Sequence, residues 1–342
     1  MPRLDEVFNT QELINYYKDR QLTPMLGESL FPNRKIQDIE FDMILGRGGL
    51  PVSASVHALD TETQIASREA IQKGAQGLAL IKRQIPITEK DIIKINNPRT
   101  DAELQMVVEQ LYNDSEKMVE GVRVRAEAMR MELLSSGKIK IEENGVKVTI
   151  DYKVPTGNKK TFNWSNATTA TPLDDLETLA AAVEGESGVR PTRMLTSKKI
   201  QNALCKNQSI REAIHGVNSA KIVTLAELNV LLSDLDLPSI ATYEAKYRVE
   251  GAKGYETKRY FPENTISMFN DGALGESIWG LTAEEVALIG SGEMKTAEMV
   301  GNIFVGTYTK VDPVSEWTKA AGTMIPSCPY ADEIGIGTIT LA

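Results

Sequence analysis

The sequence predicts an α+β protein in which one very long helix is joined to strand-rich segments and to a mixed region of helices and strands. Three observations predict this class: a helical apolar pattern over 101–136, a hairpin signature over 138–154, and alternating helix and strand signals from about 160 to 300. The 342 residues are 42% hydrophobic and 25% charged, which is typical of an ordinary folded protein. Their number suggests roughly two domains.

Residues 1–35 are predicted to be an N-terminal arm without a core of its own. The stretch 7–18 has the apolar spacing of a short amphipathic helix, and 23–35 follows with two prolines and a glycine. Such a segment has too little apolar material to fold alone. We therefore expect it to become ordered on another surface, including that of a neighbouring chain.

Residues 36–97 are predicted to form strands around a long polar connection. A strand-turn-strand unit with so little core of its own suggests a protruding hairpin or loop. An isolated hairpin is marginally stable in water, so its natural stabiliser is another protein surface. The apolar positions that alternate with polar ones are Ile39, Phe41, Met43, Val52, Ala54 and Val56, followed by the runs 77–81 and 84–87.

The clearest element is a helix at 101–136. Thr100 and Glu103 form a capping-box pattern at its start. Its residues would span about 54 Å, and Gly121 is a weak point of roughly 1 kcal/mol relative to alanine, where the helix could bend. Ser115 interrupts the apolar stripe, which favours a helix lying across a sheet over a lone coiled coil. The stripe consists of Leu104, Val108, Leu111, Met118, Val122 and Met129.

A hairpin is predicted directly after this helix, at 138–154. Apolar and polar residues alternate on both sides of Asn144-Gly145. This dipeptide readily adopts the positive φ angles of a type I′ turn, which joins two antiparallel strands. The alternation continues to Val154 and predicts a second strand of that length.

The region 161–300 has the pattern of a mixed α/β domain. The closing strands 302–310 and 334–341 are predicted to rejoin the sheet begun by the hairpin, so that this domain is inserted between two halves of another. The predicted helices are 173–183, 197–204, 209–214 and 225–235. The predicted strands are 193–195, 240–243 and 245–249, the last together with Tyr260, which lies beyond a predicted turn at 251–254.

Composition and charge exclude several classes of protein. There are 47 Asp+Glu against 38 Lys+Arg, and the net charge of −9 argues against a sequence-reading nucleic-acid binder, whose surface would be basic. No run of 18 apolar residues predicts a membrane span, and the N-terminus lacks the pattern of a secretory signal. Cys205 and Cys328 are far apart and fit reduced thiols in a cytoplasmic setting better than a disulfide.

Few residues have the pattern of a catalytic or metal site. His57 and His215 have no second histidine or cysteine at ligand spacing, and they are interpreted as surface or helix-end residues. Cys205 lies on the apolar side of a short predicted helix, which indicates a buried structural thiol. No CxxC, HExxH or GxSxG motif occurs. The sequence therefore predicts no catalytic, cofactor-binding or metal-binding residues.

Two clusters resemble functional motifs only in part. Asp174, Asp175 and Glu177 follow a Thr-Pro pair, where acidic residues complement the dipole at a helix start. The stretch 290–296 resembles a phosphate-binding loop, but it lacks the glycine directly before its lysine and is interpreted as a surface loop.

Short motifs and the order of the elements resemble the major capsid proteins of tailed bacteriophages. The first motifs are Leu30-Phe-Pro and Ile39-Glu-Phe-Asp, and the later ones are Val311-Asp-Pro-Val, Met324-Ile-Pro and Cys328-Pro-Tyr-Ala-Asp-Glu-Ile. With the arm, strand loop, long helix, hairpin, inserted domain and return strand, they are similar to the major capsid protein E family, the lambda-type branch of the HK97 fold. The similarity in element order covers nearly the whole chain.

The resemblance implies an HK97-like capsid fold whose parts can be assigned along the sequence. It implies an N-terminal arm at 1–35, an extended E-loop hairpin with flanking strands at 36–97, a P-domain at 98–160 with the spine helix 101–136, the hairpin 138–154 and a β-sheet, an inserted A-domain at 161–300, and P-domain return strands at 301–342.

The resemblance also implies a structural protein and not an enzyme. Such subunits assemble as hexamers and pentamers into an icosahedral phage head that encloses double-stranded DNA without sequence-specific binding. The implied location is the virion capsid, with assembly in the host cytoplasm, and no cofactor or membrane is involved. The implied partners are copies of the chain, a portal protein and, optionally, a decoration protein. Because only about 35 residues precede the E-loop, a separate scaffolding protein is implied as well.

Four arginines are candidate contacts between subunits. Arg3 and Arg20 lie in the arm, and Arg47 and Arg68 lie in the E-loop. Each could pair with an acidic residue of the next subunit, and a solvated surface charge is an equally open alternative for each.

Two alternatives to a phage capsid protein remain open at this point. One is an α+β enzyme of unknown reaction with a site in 161–300, built on Asp174, Asp175 and His215. The other is the shell protein of a nanocompartment with the same fold.

Overall fold

A computed structural model describes residues 23–45, 72–87, 89, 92–93, 100–217, 219, 221–251, 254–291, 302–311 and 314–341. The chain divides into two compact units. The first unit contains the described residues of Met1–Phe41, Ala75–Glu127 and Glu276–Pro326, and the second contains those of Asp42–Gly74, Ala128–Gly275 and Ser327–Ala342.

The predicted long helix is confirmed as α2, Asp101–Ser136. From the predicted stripe, the side chains of Met118, Val122 and Met129 are buried. Gly121 leaves the helix unbroken, and a methyl group there would lie 2.8 Å from Cδ of Arg83. The side chains of Leu104, Val108, Leu111 and Glu103 lie outside the described ones.

A five-stranded sheet forms the centre of the first unit. Its order is β1–β13–β15–β14, and β4 also pairs with β15. The ladder between β4 and β15 is antiparallel and runs from Ile87 opposite Glu316 to Ala79 opposite Met324. The strands are β1 (Asn33–Lys35), β4 (Ala79–Ile87), β13 (Glu276–Gly280), β14 (Phe304–Val311) and β15 (Val314–Ser327).

Helix α2 packs on this sheet, as predicted. A methyl group at Gly322 of β15 would lie 3.4 Å from Cγ1 of Val122 and 2.9 Å from the ring of Trp279 on β13. Glycine at this position therefore lets the helix and the indole ring approach the strand closely.

Shorter elements complete the first part of the chain. The predicted strand around Ile39 and Met43 is confirmed as β2 (Glu40–Leu45), which pairs with β3 (Gln72–Gly77). The predicted runs 77–81 and 84–87 contribute to one continuous strand, β4, which begins at Ala79, while Gly77 is the last residue of β3. The strand predicted at 52–56 and the helix predicted at 7–18 lie outside the described residues. The two short helices are α1 (Leu26–Leu30) and α7 (Ala283–Ser291).

The predicted hairpin is confirmed as β5 (Lys138–Glu143) and β6 (Val146–Asp151). Asn144 has φ 50° and Gly145 has φ 81°, as a type I′ turn requires. The second strand ends three residues earlier than predicted, because Lys153 adopts φ 60° and leaves the extended conformation.

A second five-stranded sheet, of order β7–β16–β12–β8–β9, forms the centre of the second unit. The outer pairs β7–β16 and β8–β9 are parallel, and the inner pairs are antiparallel. Its strands are β7 (Lys159–Asn163), β8 (Arg193–Thr196), β9 (Ser239–Thr242), β12 (Thr265–Phe269) and β16 (Gly335–Thr340).

Four helices accompany this sheet, close to their predicted positions. Ser197 caps one of them by accepting a hydrogen bond from the backbone N–H of Ile200, and Thr224 with Glu227 forms a capping box on another. The helices are α3 (Pro172–Ser187), α4 (Lys198–Lys206), α5 (Gln208–His215) and α6 (Leu225–Asp234), and a separate hairpin consists of β10 (Lys246–Gly251) and β11 (Gly254–Arg259).

The predicted pairing of the closing strands with the sheet of the 138–154 hairpin is wrong. Both strands exist, but β14 joins the first sheet, and β16 lies between β7 and β12 in the second. Burial explains the difference. A methyl group at Gly335 of β16 would lie 2.7 Å from Cγ2 of Val183 on α3, so this strand is packed inside a layered core, whereas 142–149 of the hairpin is exposed.

Candidate functional site

Two hairpins expose apolar side chains. Strands β5 and β6 pair with no other strand among the described residues, and Val146 and Val148 on β6 are 50% and 43% exposed. Tyr255 on the hairpin β10–β11 is 66% exposed. A two-stranded sheet with exposed apolar residues gains stability when another surface covers it.

The first described segment is held tightly on helix α2 within the first unit. The Arg123 guanidinium lies 3.0 Å from the Glu28 carboxylate and also donates to the backbone carbonyl of Thr23 at 2.8 Å. The backbone N–H of Gly27 donates to the buried carboxylate of Glu127 at 2.9 Å. Together with the buried side chain of Phe31, these contacts fix the position from which the preceding residues continue.

A cluster of lysine–glutamate pairs fixes helix α7 to the first sheet. Glu284 pairs with Lys82 of β4 at 3.1 Å and with Lys319 of β15, while Glu285 pairs with Lys35 of β1 at 2.9 Å. Burial alone would raise the pKa of Glu284, but Lys319, the backbone N–H of Glu284 itself and Lys82 together outweigh it and lower the pKa to about 2. Burial dominates at Glu285 and raises its pKa despite the ion pair.

In the acidic cluster at the start of α3, Asp175 and Glu177 have structural partners. Asp174 and Asp175 lie in the first turn of α3, as predicted, and Asp175 accepts a hydrogen bond from the indole N–H of Trp164 at 2.7 Å. Glu177 pairs with Arg190 at 2.6 Å. These contacts stabilise the start of α3 and the segment after it.

His215 is the last residue of α5, which confirms its interpretation as a helix-end residue. Its Nε2 lies 3.9 Å from the carboxylate of Glu227, the N3 residue in the capping box of α6. The described contacts therefore place His215 and Asp175 with different partners. His57 lies outside the described residues.

Both cysteines are free, as predicted, and both are buried, which was predicted only for Cys205. Cys205 lies in the apolar core of the second unit, and burial raises its pKa. Burial, followed by the nearby carboxylates of Asp332 and Glu333, raises the pKa of Cys328 to about 12, and its thiol donates to the carbonyl of Leu274 at 3.6 Å. Neutral, buried thiols are poor nucleophiles, which fits structural roles.

The candidate contact residues Arg3, Arg20, Arg47 and Arg68 all lie outside the described residues, as does most of the stretch 290–296. In the part of the chain that the structure describes, no three His, Cys, Asp and Glu side chains are grouped so that they could bind a metal through those residue types alone. Within the same part, no helix combines the length and apolar character needed to cross a membrane.

Sequence reasoning found the alternation on the hairpin but not the exposure of Val146 and Val148, and it missed the anchoring pair Arg123–Glu28. The row had a signal, because Val146, Val148 and Ile150 alternate with polar residues along β6, although alternation alone does not show that the two valines are exposed while Ile150 is buried. The ion pair had none, because 95 positions separate its partners.

Comparison with known proteins gives one family and several similar structures. The profile of a family described as phage major capsid protein E matches residues 9–339. No curated protein matches the chain. A protein assigned as the capsid protein of a prophage in Escherichia coli CFT073 is 16% identical, with a TM-score of 0.63 over 97% of this chain and 99% of its own. A phage-related protein from Bordetella bronchiseptica RB50 is 11% identical, with a TM-score of 0.54 over 99% and 98%. These two likenesses establish a shared fold.

Proposed function

The chain belongs to the phage major capsid protein E family, and we propose that it builds the shell of a phage head as hexamers and pentamers of itself. The family match over residues 9–339 carries this conclusion. It confirms the predicted family, the α+β capsid fold of the HK97 type and a structural role in the virion capsid. The enzyme alternative is set aside, since members of this family are structural proteins. The family also favours a phage head over a nanocompartment.

Further features of this role belong to the same proposal. The shell would be icosahedral and enclose double-stranded DNA without sequence-specific contacts. It would assemble in the host cytoplasm with a separate scaffolding protein and a portal protein, and a decoration protein is an optional addition. The net charge of −9 supports weak adhesion to the packaged DNA.

The assignment of segments of the chain to the parts of a capsid subunit follows the sequence prediction. We propose an arm at 1–35, an extended loop at 36–97, a P-domain at 98–160 with return strands at 301–342, and an inserted A-domain at 161–300. Arg3, Arg20, Arg47 and Arg68 remain proposed ion-pair partners of acidic residues on neighbouring subunits.

The exposed hairpins support this proposal. In a closed shell, each subunit repeats the same contacts with its neighbours, so an exposed apolar row can be covered by a second copy of the chain. Val146 and Val148 on β6 and Tyr255 on β11 are large exposed side chains on two-stranded sheets. Their burial between copies would stabilise both the hairpins and the assembly.

The test is assembly of the purified full chain, with and without a co-expressed scaffolding protein. We expect closed, megadalton shells in negative-stain micrographs and in sedimentation velocity. A compact monomer or dimer that persists with scaffold present would contradict the proposal. Shells that co-purify with a cargo enzyme would favour the nanocompartment instead.

A further inference from the structure

Four buried side-chain oxygens have no hydrogen-bond partner in one region of the second unit. They are both carboxylate oxygens of Asp332, Oδ1 of Asn158 and Oδ1 of Asn270. The side chain of Asn158 is completely buried. Buried polar atoms are almost always paired in folded proteins, so four unpaired acceptors in one region require a physical explanation.

Two hydrogen bonds link these residues and orient the two amides. Nδ2 of Asn158 donates to the backbone carbonyl of Asp332 at 2.7 Å, and Nδ2 of Asn270 donates to the carboxylate of Glu333 at 2.9 Å. Exchanging the oxygen and nitrogen of either amide would place oxygen against oxygen. The free atom of each amide is therefore its oxygen, which can only accept.

The region also carries uncompensated negative charge. Asp332 lies near the carboxylates of Glu333 and Glu186, and burial together with these charges raises its pKa. Backbone N–H groups of Asp332 and Glu333 approach the carboxylate without reaching hydrogen-bond geometry. In the described part of the chain, none of the three carboxylates has a lysine or arginine partner. The three carboxylates therefore form a locally negative region, which a bound cation would neutralise.

The location matters for the fold of the second unit. The 3-10 turn Thr156–Asn158 leads directly into β7, and the 3-10 turn Ala331–Glu333 leads into β16. These two strands are parallel neighbours, with Lys159 opposite Ile336. A group that binds both turns would hold the starts of the two strands together.

We propose that Asp332 and Asn158 bind a hard divalent cation, with calcium as the best-fitting ion, and that Asn270 and Glu186 complete the site directly or through water. Carboxylate and amide oxygens are the ligands that calcium accepts, and its flexible shell of six to eight oxygens tolerates water. The unpaired atoms are all oxygens, which does not suit zinc with its preference for thiolate and imidazole. A site with few charged ligands is expected to bind calcium weakly, with a Kd on the order of 0.1–1 mM.

The experiment is a calorimetric titration of the full-length protein with CaCl2 after dialysis against EDTA, together with terbium luminescence. Terbium replaces calcium in oxygen sites, and Tyr330, an exposed residue two positions before Asp332, can sensitise its emission. We expect one saturable site per chain and a higher thermal midpoint at about 10 mM calcium. The variant Asp332→Asn should weaken binding by about tenfold or more and lose the thermal shift. The control Asp234→Asn removes an exposed acid from the same unit and should bind like the wild type.

Each outcome decides the proposal. If Asp332 is only an unpaired buried charge that water solvates, Asp332→Asn will raise the thermal midpoint in EDTA and calcium will change nothing, which overturns the site. Binding that survives unchanged in Asp332→Asn also overturns it. If that variant does not fold, the wild type still decides, because the absence of saturable heat and terbium emission contradicts the proposal.

Discussion

Arg123 and Glu28 form an ion pair although 95 positions separate them in the sequence. Nη2 of Arg123 lies 3.0 Å from each carboxylate oxygen of Glu28. Both side chains are largely buried. Because the same guanidinium also donates to the carbonyl of Thr23, it binds the segment before α1 through both a side chain and the backbone. An ammonium group cannot reproduce this planar arrangement of donors.

Replacing this guanidinium is therefore expected to destabilise the first unit. Arg123→Lys should lower the free energy of unfolding by about 1–2 kcal/mol, because charge-assisted hydrogen bonds at a partly buried site are lost. Urea unfolding of the unassembled subunit measures this change. Limited proteolysis should also show faster cleavage near Thr23, where the backbone contact is lost.

The control for this prediction is Lys117→Ala on the same helix. Lys117 pairs with Asp114 at 3.0 Å, but its side chain is 64% exposed. An exposed ion pair contributes little, so the change should stay within about 0.5 kcal/mol. Equal effects of the two substitutions would show that the Arg123 contact has no special role.

The sequence predicted the elements whose signals are local. The existence of α2 followed from its apolar period, and its start followed from the capping-box pattern of Thr100 and Glu103. The turn at Asn144-Gly145 followed from two residues that favour positive φ. The strand β12 was missed because all five of its residues are buried, so it shows no alternation. In β15, Gly322 and Pro326 resemble breaks, although the strand continues through both.

Strand pairing and the candidate sites could not be predicted in the same way. The position of β16 between β7 and β12 depends on the close packing of Gly335 against α3, which is a tertiary contact. The hydrogen bond between Asn158 and Asp332 joins residues 174 positions apart. A single sequence contains no periodic signal for contacts over such distances, because they depend on how the elements pack.

The lysine–glutamate cluster at α7 predicts a specific pH dependence of stability. The pKa of Glu284 is lowered from 4.5 to about 2 in the folded protein, because its pair with Lys319, a backbone hydrogen bond and its pair with Lys82 outweigh the effect of burial. Its contribution to stability is therefore complete above pH 4.5 and is lost as the pH falls toward 2. Glu284→Gln should cost up to about 3 kcal/mol at neutral pH, and the difference from the wild type should shrink in acid. Urea unfolding across this pH range measures both.

Glu285→Gln is a matched control for which we expect the opposite pH dependence of stability. Burial raises the pKa of Glu285, so its charged form is disfavoured in the folded protein. Relative to Glu285→Gln, the wild type should therefore lose stability as the pH rises through the pKa of this group. The same slope with pH for both variants would argue against the assignment of these two glutamates.

Two glycines are predicted to respond very differently to alanine. At Gly275, the added methyl group would lie 1.8 Å from the backbone carbonyl oxygen of Ser327, so the backbone itself must move. We expect Gly275→Ala to lower the free energy of unfolding by more than about 3 kcal/mol.

At Gly121, the methyl group meets Cδ and Nη1 of Arg83 at 2.8 and 2.9 Å, and a flexible side chain can move away. Because alanine also favours the helix by about 1 kcal/mol, Gly121→Ala should be nearly neutral. Thermal and urea unfolding of both variants test this contrast, and a severe effect at Gly121 would show that Arg83 is rigidly held.

The proposed assembly surface on the hairpin predicts a defect that appears only when copies meet. In the double variant Val146→Thr and Val148→Thr, each valine is replaced by a β-branched residue of nearly the same shape, so the exposed strand keeps its propensity while its apolar surface falls. The unfolding free energy of the unassembled subunit should change by less than about 0.5 kcal/mol, as expected for exposed positions. With scaffold present, the yield of shells should fall, or shells should form only at a higher protein concentration. Sedimentation velocity measures both. Val189→Thr is the control, because Val189 is 46% exposed in the same unit but lies outside the hairpin. Shells that form equally well with all three proteins would show that the apolar row of β6 is not covered by a neighbouring copy.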